Sequence, residues 1–172
     1  MYNESMPLHA APAYLPIWRE LLNGGGFDNV HVVVDQPTGY ALWGLEPLPR
    51  PALIVTFNAY PLYLLDLYER SPEGLLVSPD SSKTVRAATD LIARGQRVGS
   101  PPGPGCDLPT RRERQVLRQL ARGRCAGEIA RSLGVKRETV YTYLQNLREK
   151  LGVDSQHELA LTYLGMVHPG GI

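Results

Sequence analysis

Cysteine is scarce in this 172-residue chain. Its two cysteines, Cys106 and Cys125, are too few for a disulfide framework or a zinc set. The four histidines, His9, His31, His157 and His168, do not stand at metal-ligand spacing, so no metal is expected. No apolar run approaches the roughly 18 residues that a membrane span requires. The opening MYNESMPLHAAPAY lacks the basic-then-apolar pattern of a secretory signal. Gly24-Gly25-Gly26 lacks the Gly-Lys-Ser/Thr of a phosphate-binding loop and reads as a helix stop. There is no Gly-x-Ser-x-Gly elbow, and neither cysteine has an activating partner. These absences leave enzymatic, cofactor-dependent and membrane roles without support, and a reduced, cytoplasmic protein is the expectation.

What is present is ordinary for one or two small domains: 43% hydrophobic and 20% charged residues. The net charge of +1 hides an asymmetry. Residues 1 to 103 hold seven Lys/Arg against ten Asp/Glu, and residues 104 to 172 hold eleven against seven, so the halves carry −3 and +4. Between them, Ser100 to Thr110 contains four prolines and two glycines, which no regular element tolerates. The expected division is therefore 1–99, a linker at 100–109, and 110–172.

The basic half carries the densest pattern. Val140, Leu144, Leu147 and Leu151 recur at helical spacing and define one stripe facing a core. An advance of about 100° per residue puts Glu138, Thr142 and Gln145 opposite, with Tyr141 at the flank. That polar face has no partner within its own helix. Upstream, EIARSL breaks at Gly134, and Val135 leads into the long helix. A helix, a glycine-containing turn and a second helix form the helix-turn-helix pattern, whose second helix enters a DNA major groove. A helical hairpin that packs against protein gives the same local pattern. Thr110 with Glu113 and Ser155 with Glu158 are S/T-x-x-E capping boxes that begin the first and fourth helices, and Gly123 and Gly152 close the first and third.

TRRERQVLRQLARG, EIARSLGV, ETVYTYLQNLREKLGV and SQHELALTYLG, in that order, resemble the four helices of the LuxR/NarL-type (GerE-like) helix-turn-helix domain of bacterial transcription regulators. The resemblance covers roughly Leu108 to Val167. It implies a sequence-specific regulator that binds double-stranded DNA as a homodimer, with RNA polymerase as a further partner. It also implies that Tyr141, Thr142 and Gln145 face bases and that Arg137 and Thr139 lie near phosphates. Lys136, Arg148 and Lys150 are further cationic candidates for the DNA-binding surface, and Leu159 and Tyr163 of the last helix are candidates for the dimer interface. Where relatives commonly show Val-Lys-Thr-His, this chain has Val140-Tyr141-Thr142-Tyr143, so direct readout leans on Gln145, which suits adenine, and on Thr142.

The acidic half alternates between two periods. Helical patterns are expected over 12–23, 38–45, 60–70 and 82–94, the last capped by Ser82. Strands are expected over 30–34, 52–57 and 74–78, which makes a parallel three-layer α/β arrangement. IVTFNAYPLYLLDLYERSPEGLLVSPDSSKTVRAATDLIARGQRV resembles the last two strand-helix units of a response-regulator receiver domain. The expected whole is thus a shortened, receiver-like parallel α/β domain followed by a four-helix LuxR-type domain. The receiver resemblance implies a switch residue at Thr56 and puts Ser78 where a lysine is expected. Asp35 falls at the phosphoacceptor position in one alignment, and Phe57 or its neighbour in another. Aspartyl phosphorylation needs a carboxylate, further acids to hold Mg²⁺, and an opposing cation. With at most Asp35 left, this half reads as a degenerate receiver that does not accept phosphate by the normal route. A working receiver phosphorylated on Asp35, a sigma-factor-like promoter module, against which the fourth helix speaks, and an interaction module that has lost DNA are the alternatives.

Overall fold

A computed structural model of the chain describes residues 7–22, 29–103 and 108–167. The glycine run at 24–26, Cys106 and His168 lie outside these residues. The chain divides into two compact units, 1–102 and 103–172.

The first unit is built on a parallel sheet of four strands in the order β1-β2-β3-β4: Leu8–His9, His31–Val34, Ala52–Thr56 and Gly74–Val77. Continuous apolar runs suit strands covered on both faces, and every residue of β3 is buried. β1 was not expected from the sequence, because two residues show no periodicity. It pairs Leu8 with Val32 and His9 with Val33.

Helices α1 (Leu15–Leu21) and α3 (Ser82–Ala93) share one face of the sheet. Trp18 and Leu22 meet Val85, Ala88 and Ile92 there, over Val32, Val34, Leu53 and Val55. Side chains alternate along a strand, so Val33, Asp35, Ile54 and Thr56 point to the other face. That face carries α2 (Pro61–Glu69), as the bond from Tyr63 to Asp35 shows. A single π-helical turn, Tyr40–Gly44, replaces the short helix expected over 38–45 and contacts β2 and α2. Of the residues of α2, Leu62, Tyr63 and Leu67 are buried and belong to the core.

Two boundaries differ from the sequence reading for plain reasons. α1 starts at Leu15 rather than Pro12 because the imino ring of Pro16 is compatible only with a first helical turn. α3 is capped by Ser81, whose hydroxyl accepts from the Thr84 amide at 3.3 Å, so Ser82 is already helical.

The second unit is a bundle of α4 (Arg111–Ala121), α5 (Ala126–Leu133), α6 (Arg137–Leu151) and α7 (Gln156–Tyr163). The capping box of α4 forms in both directions: Glu113 N donates to Thr110 Oγ1 at 3.3 Å, and Thr110 N donates to Glu113 Oε2 at 2.7 Å. At α7 only half the expected box appears. Ser155 accepts from the Glu158 amide at 3.0 Å, while the Glu158 carboxylate takes the Asp154 amide instead. Gly134 ends α5 at φ 65°, the left-handed conformation that costs glycine least. Val116, Leu117, Ile129, Val140, Leu144, Leu147, Leu159 and Tyr163 are fully buried. Each such aliphatic side chain contributes about 1.5–3 kcal/mol by leaving water. Leu151, the end of the expected stripe, is only half-buried.

Candidate nucleic-acid interface

α6 is anchored through Val140, Leu144 and Leu147, none more than 1% exposed. Because its residues advance by about 100°, this anchoring leaves Glu138, Tyr141, Thr142, Gln145 and Glu149 on the outside, and all five are exposed. The polar stripe expected from the sequence is therefore a continuous surface. Lys136 caps the helix and Arg137 opens it, both exposed. The positive end of the helix dipole points the same way, which favours an anion at this end.

The side chains on the stripe are lightly committed. Thr142 Oγ1 donates to the Glu138 carbonyl at 3.1 Å, a back-bond within the helix. Gln145 Nε2 donates to Glu149 Oε1 at 3.0 Å. Tyr141 Oη accepts from Arg137 Nε at 3.1 Å. Each of these bonds joins exposed groups, so each can be exchanged for a ligand at little cost.

Other candidates are drawn inward. Lys150 Nζ donates to Glu113 Oε2 at 2.8 Å, and that carboxylate is almost completely buried. Burial alone would push the Glu113 carboxyl up, but the Lys150 ammonium and the Thr110 amide and hydroxyl outweigh it and hold it below the ordinary glutamate value. Arg148 is half-buried and donates through Nη1 to the Asp154 carbonyl at 3.2 Å, tying the end of α6 to the turn that follows. Thr139 is half-buried. No local signal in the sequence distinguishes these residues from Lys136 and Arg137, since the partner of Lys150 stands 37 positions away.

Leu159 and Tyr163 require a correction. Both are 0% exposed, packed into their own bundle, so neither side chain presents a surface to a second copy. The apolar residues of α7 lie on both sides of the helix, and the sequence does not reveal which side turns inward. Ala160, Leu161 and Leu164 are the half-exposed set, followed by Met166 at 65% exposure.

In the first unit, Asp35 stands at the carboxyl end of β2 and is 1% exposed. Its Oδ1 accepts from the amides of Gly39 (3.1 Å) and Ala41 (2.8 Å), and its Oδ2 from Thr56 Oγ1 (2.9 Å) and the Tyr63 hydroxyl. Gly39, at φ 102° and with the Trp43 ring against the position a Cβ would take, is what lets the loop fold back over the carboxylate. Burial pushes the Asp35 carboxyl above the ordinary aspartate value, and the bonds from Tyr63, Ala41, Thr56 and Gly39 do not cancel it. Continuing the β1–β2 register places Ala10 and Ala11 beside Val34 and Asp35, so among the described residues β1 and its extension bring no acid next to Asp35. Among the described residues no group of three or more His, Cys, Asp and Glu could hold a metal ion. Ser78, at the end of β4, is exposed and carries no charge. Phe57, the residue after β3, pairs its ring with Trp18 at 5.9 Å, and Trp18 Nε1 donates to Gln36 Oε1, next to Asp35, at 2.8 Å. Among the described residues, no helix is long and apolar enough to cross a membrane.

Residues 109–163 match the family described as bacterial regulatory proteins, luxR family (GerE). The transcriptional regulatory protein UhpA of Salmonella typhimurium is 51% identical over 129 residues, which cover 72% of this chain and 66% of that protein. The chain thus spans just under two thirds of the length of that relative. The response regulatory protein YgeK of Escherichia coli, itself uncharacterized, is 30% identical over 128 residues, covering 67% of this chain and 86% of that protein. Among solved structures, RcsB of Salmonella enterica serovar Typhimurium bound to promoter rprA is 19% identical, with 90% of this chain and 81% of that one covered and a TM-score of 0.41.

Proposed function

Because the chain belongs to the LuxR (GerE) family of bacterial regulatory proteins, within its response-regulator branch, we propose that it regulates transcription by binding double-stranded DNA sequence-specifically through the outer face of α6. The observation that carries this reading is the exposed stripe of Tyr141, Thr142 and Gln145 on a helix whose other side is locked into its bundle. A major groove about 12 Å wide admits one such helix, and its side chains then reach base edges. Thr142→Ala and Gln145→Ala each test it in a binding titration that compares a selected duplex with a random one. Discrimination falls in both variants if the stripe reads bases, and wild-type discrimination in both rejects the reading.

The regulator acts without phosphorylation of Asp35. All four hydrogen-bonding positions of that carboxylate are occupied by donors of its own unit, no acid flanks it from β1, and the group is out of contact with water. An attacking carboxylate must reach the phosphodonor and a bound Mg²⁺. Intact mass after incubation with a small phosphodonor and Mg²⁺ should stay unchanged, and a stoichiometric gain of one phosphoryl group lost in Asp35→Asn would overturn this.

The active species is a homodimer joined through the outer side of α7. A helix with apolar residues on both sides leaves one side unspent after the bundle closes. Leu161→Asp and Leu164→Asp should therefore give folded monomers by sedimentation, with loss of cooperative half-site binding. Persistence of the dimer in both would move the interface elsewhere.

A further inference from the structure

At the N-terminal end of the exposed stripe of α6, two side chains are already joined. Arg137 Nε donates to Tyr141 Oη at 3.1 Å, and the guanidinium carbon lies 5.4 Å from the centroid of the Tyr141 ring. Both residues are exposed and stand one helical turn apart. The contact engages Nε alone. The two terminal nitrogens keep the planar fork with which arginine meets the O6 and N7 acceptors of guanine.

The direction of the side chain matters more than its charge. An arginine one residue into a helix serves a backbone phosphate by default, because it can swing outward along the flank. Here the bond to Tyr141 draws the guanidinium toward the C-terminus and onto the stripe that continues through Thr142 and Gln145. The first residues of a recognition helix are also those that reach base edges in a helix-turn-helix complex. Lys136, one position earlier and exposed, remains to serve the phosphate. A tyrosine at 141 carries no cation of its own, but its oxygen fixes the orientation of a neighbouring one.

Resting on the DNA-binding reading above, we infer that Arg137 reads one guanine in each half-site through its terminal nitrogens, and that Tyr141 is the positioning residue that holds the fork toward the groove floor. The pairing turns a generic cation into a base-selective one.

The test uses the full chain and leaves its fold untouched. Duplexes enriched by the wild-type protein from a random pool define the half-site, and each guanine in it is replaced in turn by 7-deazaguanine, which removes only the N7 acceptor. At one guanine per half-site the wild-type affinity should fall about ten-fold, the order expected when one arm of a bidentate pair is lost. That penalty should vanish in Arg137→Ala and shrink in Tyr141→Phe. A merely structural role for Tyr141 would leave the 7-deazaguanine penalty at full size. If no guanine in the half-site shows a penalty that depends on residue 137, the inference is overturned. In that case Arg137→Ala should weaken all duplexes alike and flatten the salt slope by about one, the signature of a phosphate contact. Failure of the DNA-binding reading looks different: the wild-type chain would enrich no sequence from the pool, and both proposals would fall together.

Discussion

Asp35 and Gln145 are both polar residues that the sequence singles out, and the two units treat them in opposite ways. Around Asp35 the donors come from inside: two loop amides, one threonine and one tyrosine close on a carboxylate that water does not reach. On the outer stripe of α6, Tyr141, Thr142 and Gln145 bond only to exposed neighbours on the same helix, so their hydrogen-bonding capacity remains available to a partner. A buried, saturated polar group contributes to folding, and its loss leaves unpaired donors behind. An exposed, lightly paired one contributes little until something binds. The same residue chemistry is therefore structural in the first unit and recognitional in the second.

That contrast can be broken by mutation, starting where the expected effect is largest. Leu159→Asp places an unpaired charge among fully buried neighbours and should cost the second unit about 4 kcal/mol or more, which reads out as loss of cooperative unfolding rather than as a folded monomer. A folded, monomeric Leu159→Asp would restore the sequence-based assignment of this residue to an interface. Asp35→Ala removes the acceptor of the Tyr63 and Thr56 hydroxyls and of the Ala41 amide, while the Gly39 amide keeps its bond to Tyr63 Oη, and should cost about 2–4 kcal/mol in denaturant melts of the full chain. A loss below about 1 kcal/mol would show that the saturated carboxylate is not a strut.

Gln145→Ala should leave the melting curve in place and lower specific binding by about 1–3 kcal/mol, the worth of a lost base contact. If instead the melt shifts and binding does not, the two regions are not opposites. Smallest is Lys150→Met, which should lower stability by about 1–2 kcal/mol at neutral pH by leaving the Glu113 carboxylate partly unpaired. Its pH dependence sharpens the point. The carboxyl of Glu113 sits below its unfolded value, so its contribution is complete above the ordinary glutamate range and disappears as pH falls through the depressed folded value. Asp35, held above its ordinary value, has the opposite sign, and its contribution weakens as pH rises from the ordinary aspartate value through the raised folded one. Glu113→Gln should flatten the acid limb of the stability profile, and an unchanged limb would remove Glu113 as its source.

Much of the second unit was legible because its signals are local. The stripe of Val140, Leu144 and Leu147, the Thr110–Glu113 cap and the glycine turn at 134 all lie within one or two helical turns, and periodicity and capping chemistry suffice to read them. The strands and helices from Ala52 to Ala93 were readable within a residue or two for the same reason. What escaped is non-local. Asp35 and Tyr63 are 28 positions apart, Glu113 and Lys150 37 apart, and no pattern along the chain links them. β1 is too short to show a period, and α7 is apolar on both sides, so sequence alone could not tell its buried half from its outer half.

Sequencing of the duplexes that the full chain retains from a random pool, with wild type and Gln145→Ala run in parallel, tests the outer face of α6 most directly. The expected outcome is a pair of symmetric half-sites in the wild-type pool, with information lost at the same position of each half-site in the variant. A wild-type pool as random as its input, or a variant pool identical to the wild type, would contradict it.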